Sequence, residues 1–222
     1  MKPIFLAIFL LSFAACAAQQ PMRLPELTAR EDVQSDTACE SVYPRGHWQF
    51  VHAIEFSMQD GSGGTVLGVT SLAGDEITCA LMTVEGFTLF EAVFRKGEPL
   101  EVRRAVPPFD KPAFAGGLMD DVRAIFLPSA AKNIQYGQLG DKALVCRYAG
   151  ADGRITDILP TADGCWQIKT YTPELRMDRA IVAQSCKKMG NSLIPEHFEL
   201  TGFRNSGYTL KMTLVQAENP NR

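Results

Sequence analysis

The chain has 222 residues, of which 46% are hydrophobic and 21% are charged, and its formal net charge at pH 7 is −3. This length is enough for one domain with a substantial hydrophobic core. Because the chain carries no excess of positive charge, its composition argues against a nucleic-acid partner.

An export signal is predicted at the start of the chain, over residues 1–15. Lys2 supplies its positive charge, residues 4–13 form an apolar run, and small residues precede Cys16. The apolar run is too short to cross a bilayer as a helix, which requires about 20 residues. We expect the signal to be removed, and the loss of Lys2 takes the formal charge from −3 to −4.

The cleavage site resembles a bacterial lipobox, in which a cysteine follows two small residues. Phe13 stands where Leu is usual, and Ala14 and Ala15 precede Cys16. The resemblance implies that Cys16 is acylated. Because the next residue is Ala17 and not Asp, it also implies a lipid-anchored protein of the outer membrane that faces the periplasm. An ordinary secretory signal, cut near Ala17 or Ala18, is the alternative.

A lipidated N-terminus and a flexible tether are predicted over residues 16–42. This stretch contains glutamines, prolines and scattered charges without an apolar period. The folded domain is expected over residues 43–218, followed by a short tail, residues 219–222.

Five strands are predicted next, in a meander. Residues 47–58 alternate between apolar and polar side chains, which is typical of a half-buried strand. Turns rich in Gly and Asp then separate four further apolar runs. The predicted strands after the first are 65–72, 77–84, 87–95 and 100–104.

One helix is predicted after the meander. The Pro-Pro pair at 107–108 ends the last strand, and apolar residues then recur at helical spacing over 114–126 until Pro128. The polar residues of this helix, among them Asp121, are expected on its solvent side. Its apolar stripe requires a partner, which the sheet can provide.

Seven more strands follow the predicted helix, with Asp-Gly turns between several of them. A sheet of about a dozen strands has to curl to bury its apolar face. The predicted fold is therefore mostly β, with a large curved antiparallel sheet forming a half-open barrel and one internal helix acting as a lid. The predicted strands are 134–139, 143–148, 155–159, 165–171, 180–186, 198–203 and 208–215.

Five cysteines remain when Cys16 is set aside, so at least one thiol is expected to stay free. The periplasm permits disulfides. A hairpin that turned between Leu175 and Arg176 would place Cys165 opposite Cys186, which predicts a disulfide between these two residues.

Catalytic and metal-binding patterns are absent from the sequence. It has no Gly-x-Ser-x-Gly elbow, and no pair of cysteines or histidines at metal-ligand spacing. His52 lies in register with the apolar side of the first strand and is expected to be a core or rim histidine. We therefore predict no enzyme activity and no cofactor.

A set of large apolar residues is expected to face the interior of the barrel. A solid core and a lipid-binding cavity would use the same residue types, so the sequence leaves both open. The cavity hypothesis is favoured by the size of the sheet and by the membrane address of the chain. The predicted lining residues are Trp48, Phe50, Ile54, Phe56, Met58, Phe90, Phe94, Leu210, Met212 and Leu214.

Several loose apolar patterns resemble the LolA/LolB lipoprotein-localisation family. They are residues 81–90, the 107–108 break, the helix end at 125–128, residues 194–200 and the tail 207–212. The chain is also similar to LolB-like outer-membrane lipoproteins associated with aryl polyene gene clusters. The resemblance implies a half-barrel that binds a lipid, acyl or polyene chain for transfer or insertion at the outer membrane, with a periplasmic carrier protein as a partner.

The resemblance also implies a loop that contacts the membrane. Val84 and Phe87 would supply its apolar side chains, although Glu85 stands between them where an apolar residue would be expected. The alternative function is a structural or adaptor lipoprotein of an envelope or secretion complex, with a filled core and no ligand.

Overall fold

The computed structural model of the chain describes residues 22–29, 39, 41–129, 133–141, 143–203 and 207–220. The predicted signal, residues 1–15, and the predicted acylation site, Cys16, lie outside the described residues and remain predictions. In the part of the chain that is described, no helix is long and apolar enough to cross a membrane.

The described residues contain thirteen antiparallel strands, which form one sheet. The strands are β1 (Thr28–Ala29), β2 (Trp48–Met58), β3 (Gly63–Ala73), β4 (Glu76–Met82), β5 (Thr88–Arg95), β6 (Glu101–Ala105), β7 (Asn133–Gln138), β8 (Leu144–Ala149), β9 (Ile155–Pro160), β10 (Trp166–Tyr171), β11 (Met177–Met189), β12 (Ser192–Gly202) and β13 (Tyr208–Glu218). Every strand from β2 to β13 was predicted, and β1, with two residues, was too short to be recognised from its pattern.

Strands that are consecutive in the chain are neighbours in the sheet, except that β1 does not pair with β2 and β6 does not pair with β7. Instead, β1 pairs with β7 and β13 pairs with β2. The pairing of β13 with β2 places Tyr208 opposite Met58 and joins two meanders into one sheet. The sheet ends at β1 on one side and at β6 on the other, and these two strands are not paired. The predicted large, curved, open antiparallel sheet is confirmed.

This topology places alternate turns at opposite edges of the sheet, because each strand runs antiparallel to the next. The first edge carries the turns at residues 59–62, 83–87, 150–154, 172–176 and 203–207. The second edge carries the turns at residues 74–75, 96–100, 139–143, 161–165 and 190–191.

Helix α1, Pro112–Phe126, connects β6 to β7. Pro112 is suited to the first turn of the helix. Proline has no backbone N–H, and an N–H at this position would have no partner within the helix. The helix ends at Leu127, whose backbone is extended, as the following Pro128 favours. Its buried residues are Ala115, Met119, Asp121, Ile125 and Phe126.

The prediction that Asp121 lies on the solvent side of this helix was wrong, since its side chain is buried. The reason is that Arg179 and Tyr208 provide polar partners for the carboxylate beneath the helix. The helix is therefore rotated about its own axis relative to the predicted orientation. Phe114, which was predicted in the apolar stripe, is 37% exposed.

Part of the predicted tether is packed against the sheet. Thr28 and Ala29 form β1, which pairs with Gln138 and Gly137 of β7. Farther along, Cys39 forms a disulfide with Cys146 of β8. For these described residues a free tether is therefore ruled out, whereas the domain boundaries remain predictions.

The hydrophobic core lies between α1 and the concave side of the sheet. Alternation along β2 directs Trp48, Phe50, His52 and Ile54 to the same side, and all four are buried. The helix contributes Phe126 to the same core. The site that the sequence points to is this covered interior.

Candidate functional site: the interior beneath helix α1

An aromatic cluster occupies the interior at the C-terminal end of α1. The Phe126 ring stacks on Phe50 with ring centroids 5.3 Å apart, and Phe50 stacks on Trp48 at 5.5 Å. On the other side, Phe198 lies 6.2 Å from Phe126 and 5.6 Å from Trp166. These separations are typical of direct aromatic contact. The Phe126 side chain of the helix therefore covers the concave side of the sheet at this end.

His52 belongs to the same cluster. Its ring centroid lies 6.1 Å from those of Phe50 and Phe126 and 5.8 Å from that of Phe198. Burial among these rings lowers the pKa of His52 to about 4, because the charged imidazolium would lose its hydration. His52 is therefore a neutral part of the core at pH 7, as the sequence analysis expected.

A small cavity of about 10 Å³ lies beside this cluster. A volume of this size has room for about one water molecule. Among the ten predicted lining residues, Phe50 is the one that lines it. The cavity is lined by Val42, Pro44, Phe50, His52, Ile125, Phe126, Trp166, Leu193, Ile194, Pro195 and Phe198.

The other predicted lining residues are distributed over the same interior. Trp48, Ile54, Phe90 and Met212 are buried in the core. Phe56, Phe94, Leu210 and Leu214 are partly buried and pack against it, and Met58 is half-buried at the end of β2. These residues thus line one apolar interior. In this structure protein side chains fill that interior, apart from the small cavity.

Several important residues of the cluster were missed by the sequence analysis. Trp166 and Phe198 were placed on predicted strands without an assigned side, and Phe126 was assigned to the helix stripe. The alternation of β10 and β12 could have identified the first two. The contact of Phe126 with Phe50 depends on how the helix lies across the sheet, which no local pattern encodes.

Helix α1 is held to the sheet by a buried polar group at Asp121. The carboxylate forms an ion pair with Arg179 of β11 at 2.7 Å and accepts a hydrogen bond of 2.6 Å from the Tyr208 hydroxyl of β13. Arg179 also donates to the backbone oxygen of Asp120. Desolvation raises the pKa of Asp121 to about 6, although Arg179 and Tyr208 act in the opposite direction.

A second polar contact lies on the outer part of the helix. The Arg123 guanidinium lies 4.2 Å from the ring centroid of Phe94, one of the predicted lining residues. Arg123 also pairs with Asp120, one turn earlier, at 3.2 Å. The helix is therefore fixed over β5 as well as over β11 and β13.

The predicted membrane-contact loop is the turn between β4 and β5. Val84 is 60% exposed and Phe87 is 59% exposed. Thr83 donates its backbone N–H to the oxygen of Phe87, and Gly86 has a φ of 90°, a conformation that favours glycine. The turn thus presents two apolar side chains to solvent. Between them, a hydrogen bond from the Thr83 side chain lowers the pKa of the exposed Glu85 carboxyl group.

The predicted disulfide between Cys165 and Cys186 is present. Its hairpin has a different register from the one assumed, since Gln167 pairs with Val182, which puts Gln184 opposite Cys165. A positive φ at Ser185 shifts the backbone so that Cys186 still reaches Cys165.

Cys79 is the free thiol of the described part of the chain, and burial raises its pKa to about 12. Within the described residues, no group of three His, Cys, Asp or Glu side chains could hold a metal ion. The side chains beneath α1 are thus mostly apolar, and Asp121 joins the helix to the sheet through Arg179 and Tyr208.

No protein-family model matches the chain, and no curated protein is similar to it. Several solved structures are similar to it, among them three at low identity. A LolA superfamily protein from Nitrosomonas europaea is 12% identical, with 82% of this chain and 90% of that chain covered and a TM-score of 0.46. A domain named for outer membrane lipoprotein sorting, from Vibrio parahaemolyticus, is 9% identical, with 79% and 86% covered and a TM-score of 0.47. A DUF1329 family protein from Desulfovibrio piger is 10% identical, with 78% and 85% covered and a TM-score of 0.45.

Proposed function

We propose that this protein is a non-enzymatic lipoprotein that binds the acyl chain of a lipid or lipoprotein beneath helix α1 and transfers it at the outer membrane. In this proposal Cys16 carries the acyl anchor, the domain faces the periplasm, and a periplasmic carrier delivers the guest. A polyene chain is the guest suggested by the resemblance to the LolB-like lipoproteins of aryl polyene gene clusters.

The observation that carries the proposal is the way α1 covers the interior. Helix α1, with Pro112 at its start and Pro128 after its end, covers the apolar face and inserts Ile125 and Phe126 into it. Its polar attachment to the sheet includes the group around Asp121. A segment of this kind can be displaced without unfolding the sheet, because the strands keep their own backbone hydrogen bonds.

Binding requires this displacement, because the cavity of about 10 Å³ is far too small for a hydrocarbon chain. Burying on the order of 14 CH₂ groups would contribute about 11 kcal/mol at about 0.8 kcal/mol each. Withdrawing Met119, Ile125 and Phe126 costs about 1.5–3 kcal/mol each. Breaking the two contacts of Asp121 costs about 1.5–3 kcal/mol each. The gain and the cost are comparable, so the guest would exchange reversibly, as a transfer function requires.

The test is the binding of cis-parinaric acid, a fluorescent fatty acid with a conjugated polyene, to the purified protein. We expect the native chain to bind it and Phe126→Ala to bind it about ten- to a hundredfold more tightly. The reason is that the guest no longer has to displace the Phe126 ring, and each 1.4 kcal/mol is a tenfold change.

The matched control is Phe114→Ala, which truncates a phenylalanine of the first turn of the same helix that is already 37% exposed. This change is expected to leave the affinity unchanged, and thermal unfolding checks that both variants are folded. Absence of binding by both the native chain and Phe126→Ala would reject the proposal in favour of the structural or adaptor function with a filled core.

A further inference from the structure

Exposed apolar side chains are distributed unequally between the two edges of the sheet. Four of them lie in turns of the first edge, and we name Val84, Phe87, Leu175 and Phe203 the apolar rim. Each is at least 44% exposed. Among the described residues, the second edge has one exposed large apolar side chain, that of Leu144, which is 45% exposed at the start of β8 beside the turn at 139–143.

The N-terminal segment is fixed at the same edge. Leu24 donates its backbone N–H to the oxygen of Leu175 at 3.0 Å, and Met177 donates to the oxygen of Met22 at 2.9 Å. Arg23 forms a backbone bridge with Arg176 between these two bonds. We name this contact the N-terminal clamp. The chain that precedes it therefore reaches the domain at the turn between β10 and β11.

From these observations we propose that the first edge of the sheet is the surface that docks on the bilayer, with the apolar rim inserted into the interface. This orientation rests on the proposed function, because it takes Cys16 as the acylated residue. It adds two turns, those of Leu175 and Phe203, to the predicted contact loop at Val84 and Phe87.

The length of chain before the clamp supports this orientation. Cys16 and Met22 are six residues apart in the sequence, and six residues span at most about 20 Å. β11 has 13 residues and is about 40 Å long. Since the clamp lies at the start of β11, a second edge turned to the bilayer would hold Met22 farther from Cys16 than the intervening chain can reach.

The charges of the first edge indicate which lipid it docks on. The described residues of its turns contain four carboxylates against two arginines, so the rim has no positive excess to attract anionic lipid. Insertion would be driven by the apolar side chains, as for other interfacial segments. The partner is therefore a bilayer of zwitterionic lipid. These charged residues are Asp60, Glu85, Asp152, Arg154, Glu174 and Arg176.

The first experiment uses the chain with Cys16→Ser, which removes the anchor, and flotation with vesicles of phosphatidylcholine and phosphatidylethanolamine. We expect measurable binding that is no stronger when phosphatidylglycerol is added. Replacing the four residues of the apolar rim with Ser is expected to reduce the partition at least tenfold. The matched control is Val102→Ser with Val215→Ser, two exposed valines on strands.

Absence of binding before the rim is changed, or an equal loss in the valine control, would overturn the orientation. Stronger binding to vesicles with phosphatidylglycerol would also overturn it, because electrostatics would then dominate. Thermal unfolding of each variant separates a loss of binding from a loss of fold.

The second experiment uses the acylated full chain in the same neutral vesicles and carboxylate labelling read by mass spectrometry. Asp60, Glu85 and Glu174 of the first edge should be protected relative to Asp75 and Asp163 of the second edge. Equal or reversed protection with intact parinaric acid binding would refute this orientation alone. Protection of the first edge without parinaric acid binding would refute the proposed function alone.

Discussion

His52 is a buried imidazole whose neighbours include three aromatic rings, and this environment affects stability as a function of pH. Its pKa is lowered from 6.5 to about 4 in the folded chain. Between these two values the unfolded chain binds the proton more tightly, so acid favours unfolding. The stability that neutral His52 contributes is complete above about pH 6.5 and is lost as the pH falls towards 4.

We therefore expect His52→Phe to weaken the pH dependence of the free energy of unfolding between pH 6.5 and 4. The free energy of unfolding should change less steeply with pH, by at most about 1.4 kcal/mol per pH unit. Urea unfolding at pH 7, 5.5 and 4.5 measures it. His197→Phe, which replaces an exposed histidine of β12 by the same residue, is the control for the substitution itself. A His52→Phe protein with the same gradient as the parent would contradict the prediction.

Arg147 and Asp157 form a buried ion pair between β8 and β9. Two nitrogens of Arg147 each donate to one carboxylate oxygen of Asp157 at 2.7 Å. Arg147 also donates to the backbone oxygen of Pro25 at 3.1 Å, so the pair contacts the N-terminal segment as well. Removing one partner leaves a buried charge without its counterion. The free-energy cost of that unpaired charge is larger than the stabilisation that the intact pair provides.

Asp157→Ala is expected to lower the free energy of unfolding by about 3–5 kcal/mol, measured by chemical denaturation. Glu98→Ala is the matched control, because Glu98 is 60% exposed and lies 3.8 Å from Arg95. That change should cost less than about 1 kcal/mol, since water screens exposed pairs. A similar decrease in the free energy of unfolding in the two variants would show that burial does not determine the cost of removing one partner of an ion pair in this protein.

At the scale of elements, helix α1 shows how a correct local prediction can leave its orientation open. The sequence placed the helix within two residues of its observed start at Pro112 and at its observed end, Phe126. It placed Asp121 in solvent because an isolated carboxylate is rarely buried. The partners that make its burial acceptable, Arg179 and Tyr208, are 58 and 87 residues away in the sequence.

The two disulfides connect elements in different ways. Cys39–Cys146 joins the N-terminal segment to β8 over a sequence separation of 107 residues, whereas Cys165–Cys186 closes a separation of 21. In the chain-entropy model a cross-link stabilises more when it closes a longer loop. The first disulfide is therefore expected to contribute more to stability than the second.

Replacing both cysteines of a pair with Ser measures this difference. We expect the Cys39/Cys146 change to lower the free energy of unfolding by about 4.8 kcal/mol, and the Cys165/Cys186 change by about 3.3 kcal/mol. Urea denaturation of the two double variants under the same conditions gives both values. A larger loss for the 21-residue separation would indicate that the local geometry of the β10–β11 hairpin matters more than loop length.

On the scale of the whole molecule, the open sheet and its single covering helix define one covered apolar interior and one apolar edge. The interior is closed in this state by Phe126 and Ile125, so a guest chain can enter only when the helix moves. The apolar rim at the first edge lies at the end of the strands where the N-terminal clamp also lies. The proposed lipid binding and the proposed membrane docking thus use separate groups of residues, which is why separate experiments can test them.

The fold was largely predictable because its signals are local. Alternation along strands such as β2, turns with Gly and Asp, and helical spacing before Pro128 each depend on residues close together in the sequence. The disulfide between Cys165 and Cys186 was also predicted from local signals, because Cys165 directly precedes β10 and Cys186 lies on β11 of the same hairpin, although the assumed register of that hairpin was wrong.

The sequence by itself thus determined the mostly β class, the number of long strands and the position of the helix, because backbone hydrogen bonding and side-chain period are properties of short segments. Only the tertiary structure decided that Phe126 fills the interior against Phe50 and that Cys39 joins Cys146. These contacts depend on how the sheet curves and how the helix lies across it. Curvature and helix position result from the packing of the whole core, to which many distant residues contribute.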